Sequence, residues 1–155
     1  MTPAIKILEN AKVAFKLHAY EHDPRAETFG METVEKLGVD AARVFKTLVA
    51  EVDGKCVFGM VPVAGRLDLK ALAKAAGGKH ADMAAPAVAQ RITGYVVGGI
   101  SPLGGKKALP TYLHRSALNH ATILCSAGRR GLQVELAPAD LLRLTGGQAA
   151  DIATE

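Results

Sequence analysis

The order of apolar and polar residues predicts helices and strands that follow one another along the chain. Thr2 is placed to cap a short helix whose first position is Pro3, and apolar residues at helical spacing carry it to about Val13. Residues 15–19 then alternate apolar and polar side chains, which is typical of a strand with one buried face. The polar segment HDPRAETFG interrupts this alternation and predicts a loop.

The next part of the chain predicts a helix and a β-hairpin. A helix over residues 31–37 is stopped by Gly38, and Asp40 can cap one further turn. The segments VFKTLVAEV and KCVFGMVPV are rich in apolar and β-branched residues and enclose Asp53-Gly54, a strong hairpin signal. We therefore expect two antiparallel strands here.

The second half of the chain predicts further helices and strands. Helical spacing in LDLKALAKAAGG ends at two glycines, and Pro86 and Pro138 each begin another helix. Strands are predicted in YVVG, ALPTYLH, TILCSA and LQVEL, with a glycine-rich loop GISPLGG and a tight turn GRRG between them. The two turns imply antiparallel pairs, so we expect one α/β domain over residues 1–155, with a mixed sheet flanked by helices.

Composition indicates a cytoplasmic protein with at most a weak electrostatic attraction to a polyanion. The 155 residues are 49% hydrophobic and carry a formal charge of +4, without a long basic run. Cys56 and Cys125 lie in apolar segments that suit buried thiols better than disulfides. The charged first residues do not resemble a signal peptide, and no segment is long enough to cross a bilayer.

Familiar catalytic motifs are missing from the sequence. The five histidines show no paired-ligand spacing and there is no Cys-x-x-Cys, so we expect no metal. Neither cysteine lies in an activating motif, and no G-x-S-x-G occurs. The glycines lack the lysine and hydroxyl of a P-loop and the spacing of a dinucleotide fold, so we expect no cofactor.

Two other features can carry chemistry. Lys46 lies within the apolar strand VFKTLVA, at the end remote from the Asp53-Gly54 turn, where its amine must reach solvent, a partner or an anion. By pattern alone an outward-facing strand lysine is the stronger interpretation. The loop GGISPLGG is either an ordinary turn or a rigid segment whose amides point at a carbonyl or phosphate oxygen.

A resemblance extends over almost the whole chain. The segments MTPAIKIL, YEHDPRAETFG, VFKTLVAEVDGK, VPVAGRLDLK, RITGYVVGGISPLGGKKALPTYL and GRRGLQVELAPADLL resemble the YbaK family of bacterial Cys-tRNA(Pro) deacylases. The wider superfamily includes the editing domain of prolyl-tRNA synthetase and is marked by a lysine and a G-x-x-x-P loop, which Lys46 and residues 98–102 match. The resemblance implies an α/β fold with a mixed, partly barrel-like sheet surrounded by helices.

The resemblance also implies a set of site residues. The catalytic group would be Lys46 with the loop Gly98, Gly99, Ile100, Ser101 and Pro102, and the substrate pocket would include Tyr20, Phe29, Thr47 and Ser126. Two short basic clusters are ordinary solvated charges or contacts for acceptor-stem phosphates: Lys106, Lys107, Arg129 and Arg130. The aromatic pair and the hydroxyls have structural alternatives in packing and turn capping.

The reaction implied by the resemblance is hydrolysis of mischarged Cys-tRNA(Pro) in trans. Backbone amides of the loop would stabilise charge on the ester carbonyl, the cysteine thiol of the substrate would assist, and Lys46 would anchor the tRNA terminus as a permanent positive charge. A transient complex with prolyl-tRNA synthetase is expected, and neither DNA nor a membrane. The alternatives are a deacylase of another mischarged species such as Ala-tRNA(Pro), and a non-catalytic module that binds tRNA or a synthetase.

Overall fold

Helices and strands alternate along the chain in the computed structural model, which describes residues 1–26 and 28–154. The α-helices are α1 (Pro3–Ala11), α2 (Phe29–Leu37), α3 (Leu69–Ala75), α4 (Pro86–Thr93) and α5 (Pro138–Thr145). The strands are β1 (Phe15–Ala19), β2 (Phe45–Val52), β3 (Lys55–Pro62), β4 (Arg66–Leu67), β5 (Ala81–Met83), β6 (Thr111–His114), β7 (Ile123–Ser126), β8 (Leu132–Leu136), β9 (Gln148–Ala150) and β10 (Ala153–Thr154). Short 3-10 helices occupy Ala41–Arg43 and Arg115–Asn119.

Local capping signals explain where several helices begin and end. The Thr2 hydroxyl accepts a hydrogen bond from the Ile5 amide at 3.2 Å, as the sequence predicts. The Asp40 carboxylate accepts one from the Ala42 amide at 2.9 Å and starts the predicted further turn. Helix α2 begins at Phe29, two residues before the predicted start. None of the helices in the described part of the chain is long and apolar enough to cross a membrane.

The strands form a mixed arrangement, which confirms the predicted fold class. The Asp53-Gly54 turn joins β2 and β3 as an antiparallel hairpin, and the GRRG turn joins β7 and β8 in the same way. Strand β6 lies parallel to both β3 and β9. The five-stranded sheet has the order β5-β2-β3-β6-β9, the three-stranded sheet has the order β1-β8-β7, and β4 pairs with β10.

The two larger sheets meet where β2 begins. A parallel bridge joins Val44, immediately before β2, to Leu124 in β7. Among the described residues the sheets do not close into a barrel, so the barrel-like character implied by the resemblance extends only to this junction. The start of β2, which carries Lys46, therefore lies between the two sheets.

One predicted strand is wrong, and four short strands were not predicted. The segment YVVG forms a turn in which the Gly99 amide donates to the Val96 carbonyl at 2.9 Å, while the Tyr95 hydroxyl donates to the Leu103 carbonyl at 2.8 Å. Tyr95 is buried by these long-range contacts and not by strand pairing. The unpredicted strands β4, β5, β9 and β10 have two or three residues each and exist through the partners they pair with.

The core lies between the helices and the two sheets. One cluster packs Leu8 of α1 and Leu141 of α5 against Phe45, Met60 and strand residues of β6 to β8, and a second packs α3 against the five-stranded sheet. Cys125 is fully buried in the first cluster, where burial raises the pKa of its thiol to about 12. Its predicted role as a core residue is confirmed, and the thiol stays protonated at neutral pH.

A network of polar side chains connects β1, β8 and the segment before β2. Glu135 accepts hydrogen bonds from the Thr122 hydroxyl at 2.6 Å and from Arg43 at 2.9 Å, and its other oxygen lies 2.8 Å from His18 Nε2. These contacts lower the pKa of Glu135 to about 2. The hydrogen bond from Thr122 has the largest effect, followed by the contacts with His18 and Arg43. The ionised carboxylate thus holds Arg43 next to the strand that carries Lys46.

This network makes stability depend on pH in the acid range. The folded pKa of Glu135 lies below the ordinary value of 4.5, so its contribution is present above pH 4.5 and is lost as the pH falls toward 2. We expect Glu135→Gln to lower the free energy of unfolding at pH 7 by roughly 1–3 kcal/mol. Urea unfolding of both proteins between pH 7 and pH 3 should show their stabilities converging toward acid. Asp82→Asn, which breaks an exposed pair with His80, is the control and should have little effect.

Candidate active site

A cavity of about 480 Å³ opens at the start of β2, between the two sheets. Its walls come from the beginning of α2, from β2, from the loop after α4 and from β7 and β8, and most of the lining side chains are apolar. The lining includes Phe29, Thr33, Lys46, Thr47, Val97, Gly98, Ile100, Ser126 and Gln133. The volume suits a small ligand or the end of a longer one. The structure thus brings together parts of the chain that are far apart in sequence.

Lys46 lines this cavity, and no described residue forms an ion pair with its amine. It pairs with Val61 of β3 and is partly buried. Burial, and after it the nearby charge of Arg66, lower the pKa of the Lys46 amine. Among the described residues no hydrogen bond or ion pair reaches that amine. An anionic ligand would relieve both effects, which favours the functional interpretation of Lys46 over that of an ordinary strand lysine.

Two buried oxygens at the cavity have no hydrogen-bond partner among the described residues. They are Thr47 Oγ1 and Gln133 Oε1. Leaving such an atom buried and unpaired costs about 1–3 kcal/mol, so a hydrogen-bond donor from a ligand or an ordered water would stabilise each of them. Thr47 was predicted for the pocket from the resemblance, whereas Gln133 was not predicted.

Gln133 owes its position to the hairpin of β7 and β8. The register pairs it with Ser126, so the two side chains stand next to each other at the cavity. Ser126 is 8% exposed, and its hydroxyl accepts a long hydrogen bond of 3.4 Å from the Gly128 amide. Counting outward from the GRRG turn places Gln133 opposite Ser126, so the sequence did contain a signal for this residue.

The loop of residues 98–102 contributes two of its residues to the cavity lining. Gly98 and Ile100 line the cavity, and their amides donate to no described residue. The Gly99 amide donates to the Val96 carbonyl instead. Ser101 and Pro102, at the end of this loop, are buried and do not line the cavity. The Ser101 hydroxyl accepts a hydrogen bond from the Leu103 amide at 3.2 Å. Gly98 and Ile100 are therefore the loop residues of the lining whose amides have no partner among the described residues.

Phe29 covers this loop by direct contact with Gly98. A methyl group on Gly98 would lie 2.7 Å from carbons of the Phe29 ring, and the backbone of Gly98 has φ +90°. Gly99 is equally close to the GRRG turn, because a methyl group there would lie 2.7 Å from the Cα atom of Arg129. Both positions thus require glycine if the loop is to meet its neighbours.

Tyr20 supports the cavity from behind its wall. Its hydroxyl lies 2.7 Å from the Thr33 hydroxyl, which donates to the Phe29 carbonyl at 3.1 Å. Burial raises the pKa of Tyr20. Thr33, which sequence reasoning missed, lines the cavity, and Tyr20 contacts it there without lining the cavity itself. The loop between Tyr20 and Phe29 includes Glu27, which lies outside the described residues.

The two predicted basic clusters lie in different surroundings. Lys106 and Lys107 are exposed beside the end of α4, where the Lys106 amide donates to the Thr93 carbonyl at 3.0 Å. Arg129 and Arg130 are exposed at the turn that packs against Gly99. Only the second cluster adjoins the cavity wall. Contact of either cluster with RNA stays a prediction.

Comparison with known proteins places these features in one family. A model of the family described as the aminoacyl-tRNA editing domain matches residues 23–144. The chain is 43% identical, over 99% of its length and 94% of the other protein, to an Enterococcus faecalis protein named "Putative Cys-tRNA(Pro)/Cys-tRNA(Cys) deacylase EbsC".

Solved structures agree with this fold. One is described as a "putative trans-editing enzyme for prolyl tRNA synthetase". It has a TM-score of 0.85 at 25% identity, and the match covers 100% of this chain and 99% of the other. A hypothetical protein has a TM-score of 0.87 at 22% identity, with 98% and 99% covered, and shows likeness of fold alone.

The contact between Gly98 and Phe29 can be tested by adding one methyl group. We expect Gly98→Ala to lower the free energy of unfolding by roughly 2–4 kcal/mol, because both the positive φ and the collision with the ring oppose it. Gly54→Ala is the matched control, with φ +84° and nothing within 4 Å of the added methyl group. Its loss of about 1 kcal/mol would measure the backbone effect alone. Equal losses in urea unfolding would contradict a close contact at Gly98.

Proposed function

This chain belongs to the aminoacyl-tRNA editing domain family, and on that premise we propose that it is a trans-editing deacylase that hydrolyses the aminoacyl ester of mischarged Cys-tRNA(Pro). The name of the Enterococcus faecalis relative supports this substrate. The observation that carries the proposal is a small cavity that combines a cation, buried oxygens and backbone amides for which the described residues supply no partner. A ligand with an anionic part, an ammonium group and an ester carbonyl would satisfy all three.

Each of the three groups binds a different part of the aminoacyl end of the tRNA. The amides of Gly98 and Ile100 donate to the ester carbonyl oxygen, where negative charge develops during attack. Thr47 Oγ1 and Gln133 Oε1 accept hydrogen bonds from the α-ammonium group of the amino acid. The Lys46 amine holds a phosphate near the terminal nucleoside as a positive charge. Each group thereby gains the partner it lacks in the free protein.

The chemistry itself requires positioning more than a reactive side chain. An aminoacyl ester is already activated, and the buried Cys125 thiol is protonated and belongs to the core. We place the attack with the cysteine thiol of the substrate: its sulfur bonds to the carbonyl carbon as the bond to the ribose oxygen breaks, and that oxygen takes the thiol proton. Water then opens the cyclic thioester. A substrate without a thiol would need direct attack by water.

Two alternatives and one partner belong to the same proposal. A deacylase of Ala-tRNA(Pro) would use the same cation and amides, and a non-catalytic module would bind tRNA or a synthetase without cleavage. The small cavity receives only the end of the tRNA, so a transient complex with prolyl-tRNA synthetase would supply the rest of the recognition. The site of action would be the cytoplasm, where tRNA is charged.

Deacylation of purified substrates tests the function. We expect the protein to release cysteine from Cys-tRNA(Pro) much faster than alanine from Ala-tRNA(Pro), and Lys46→Ala to lower kcat/KM for the first by roughly 100-fold. Lys55→Ala, at the far end of the same hairpin and exposed, is the matched control and should retain the wild-type rate. Faster release of alanine would favour the sister activity. Tight tRNA binding with the ester left intact would refute deacylation altogether.

The unpaired oxygens predict that activity and stability respond in opposite directions. Thr47→Val and Gln133→Met remove a buried acceptor with little change in volume, so we expect each to raise the free energy of unfolding by up to about 1 kcal/mol while KM for Cys-tRNA(Pro) rises roughly tenfold. Ser116 Oγ is also buried and unpaired among the described residues but lies outside the cavity lining. Ser116→Ala should therefore stabilise without changing KM. An unchanged KM in both cavity variants would argue against recognition of the ammonium group.

A further inference from the structure

Arg130 connects two segments that line the cavity, the loop after α4 and the start of α2. Its Nε donates a hydrogen bond to the Val97 carbonyl at 2.9 Å, and its guanidinium carbon lies 4.9 Å from the centre of the Phe29 ring. Val97 immediately precedes Gly98, and Phe29 begins α2. One side chain therefore reaches both the residue before the loop amides and the aromatic wall that covers them.

The surrounding contacts leave Phe29 with little freedom. Its ring lies against the bare Cα of Gly98, and the ring of His22 lies 5.5 Å away between centroids. The His22 Nδ1 atom is 2.6 Å from a Glu32 oxygen, and Glu32 is 5% exposed. The ring is thus fixed by a buried carboxylate through His22 and by Arg130, which comes from a turn far along the chain.

Arginine is suited to these two contacts at once. Its planar guanidinium stacks on an aromatic ring while an edge N–H donates in the same plane, whereas a lysine ammonium presents a compact charge without this geometry. The guanidinium of Arg130 is already engaged by the ring and the carbonyl. Its neighbour Arg129 contributes backbone atoms to the contact with Gly99, and no side-chain hydrogen bond or ion pair of Arg129 occurs among the described residues.

We propose that Arg130 is a positioning residue that holds Phe29 against Gly98 and so sets the geometry in which the loop amides meet the ester carbonyl. The inference rests on the proposed deacylase function of this cavity. Arg130 and Arg129, which the sequence suggested as equivalent RNA contacts, then have different roles. Arg130 acts through Phe29 on the chemical step, and Arg129 is the member of the pair that is free to meet a phosphate.

Kinetics of three variants separate a positioning role from a phosphate contact. We expect Arg130→Gln and Arg130→Lys to lower kcat for Cys-tRNA(Pro) by roughly 10- to 100-fold, since displacement of reacting groups by about 1 Å has effects of that size. Their KM and its dependence on salt should stay near the wild-type values. Arg129→Gln should act on KM and reduce the salt dependence. Rescue of activity by Arg130→Lys, or an effect of Arg130→Gln confined to KM, would overturn the proposal.

A second measurement does not depend on activity. The chain contains no tryptophan, so Phe29→Trp introduces a single fluorescent reporter at the contact itself. Adding Arg130→Gln should raise the acrylamide quenching constant of this tryptophan about twofold or more, and adding Arg129→Gln should not. Equal quenching in both double variants would overturn the proposal that Arg130 holds Phe29 against Gly98. Failure of the wild-type protein to cleave any aminoacyl ester would instead refute the proposed function and leave the fluorescence result as the measure of the contact.

Discussion

The close approach of Gly98 and Gly99 to their neighbours is the constraint on which the cavity depends. A side chain at either position would occupy the space now filled by the Phe29 ring or by the backbone of Arg129. Because the backbone of Gly98 packs against the Phe29 ring and that of Gly99 against the Arg129 backbone, the loop after α4, the start of α2 and the turn between β7 and β8 meet closely. This packing, together with the hydrogen bond from the Gly99 amide to the Val96 carbonyl, holds the loop in place.

The polar groups of the cavity are organised for a ligand at a cost to the free protein. Lys46 is partly buried beside another positive charge, and two buried oxygens lack partners among the described residues. The Glu135 carboxylate, by contrast, is fully engaged by Thr122, His18 and Arg43, and outside the cavity lining only Ser116 Oγ is buried without a partner among the described residues. Local departures from satisfied hydrogen bonding of this kind are expected where a protein binds something, since the ligand completes the set.

The proposed reaction cleaves an ester without a protein nucleophile. The described cavity residues supply charge, acceptors and amide donors, while the Cys125 thiol is protonated and buried in the core. Under the proposed function, selectivity for cysteine depends on the substrate bringing its own thiol to a well-oriented carbonyl. A cavity of this kind demands accurate positioning, because a small displacement of the carbonyl from the amides removes much of the stabilisation. In the proposed mechanism, the contacts of Phe29 and Arg130 with the loop provide this accurate positioning.

The sequence by itself determined the features that arise from neighbouring residues. Capping by Thr2 and Asp40, the hairpin at Asp53-Gly54 and the turn GRRG follow from local hydrogen bonding and backbone preference, and family motifs identified Lys46 and the glycine loop. The tertiary structure alone decided that Gly98 and Ile100 are the loop residues that line the cavity, that Gln133 lines it too, and that Arg130 and Arg129 make different contacts. The segment YVVG and the four shortest strands depended on it as well. The physical reason is that these features come from contacts between distant segments, such as the 33 residues that separate Val97 from Arg130, which no local pattern records.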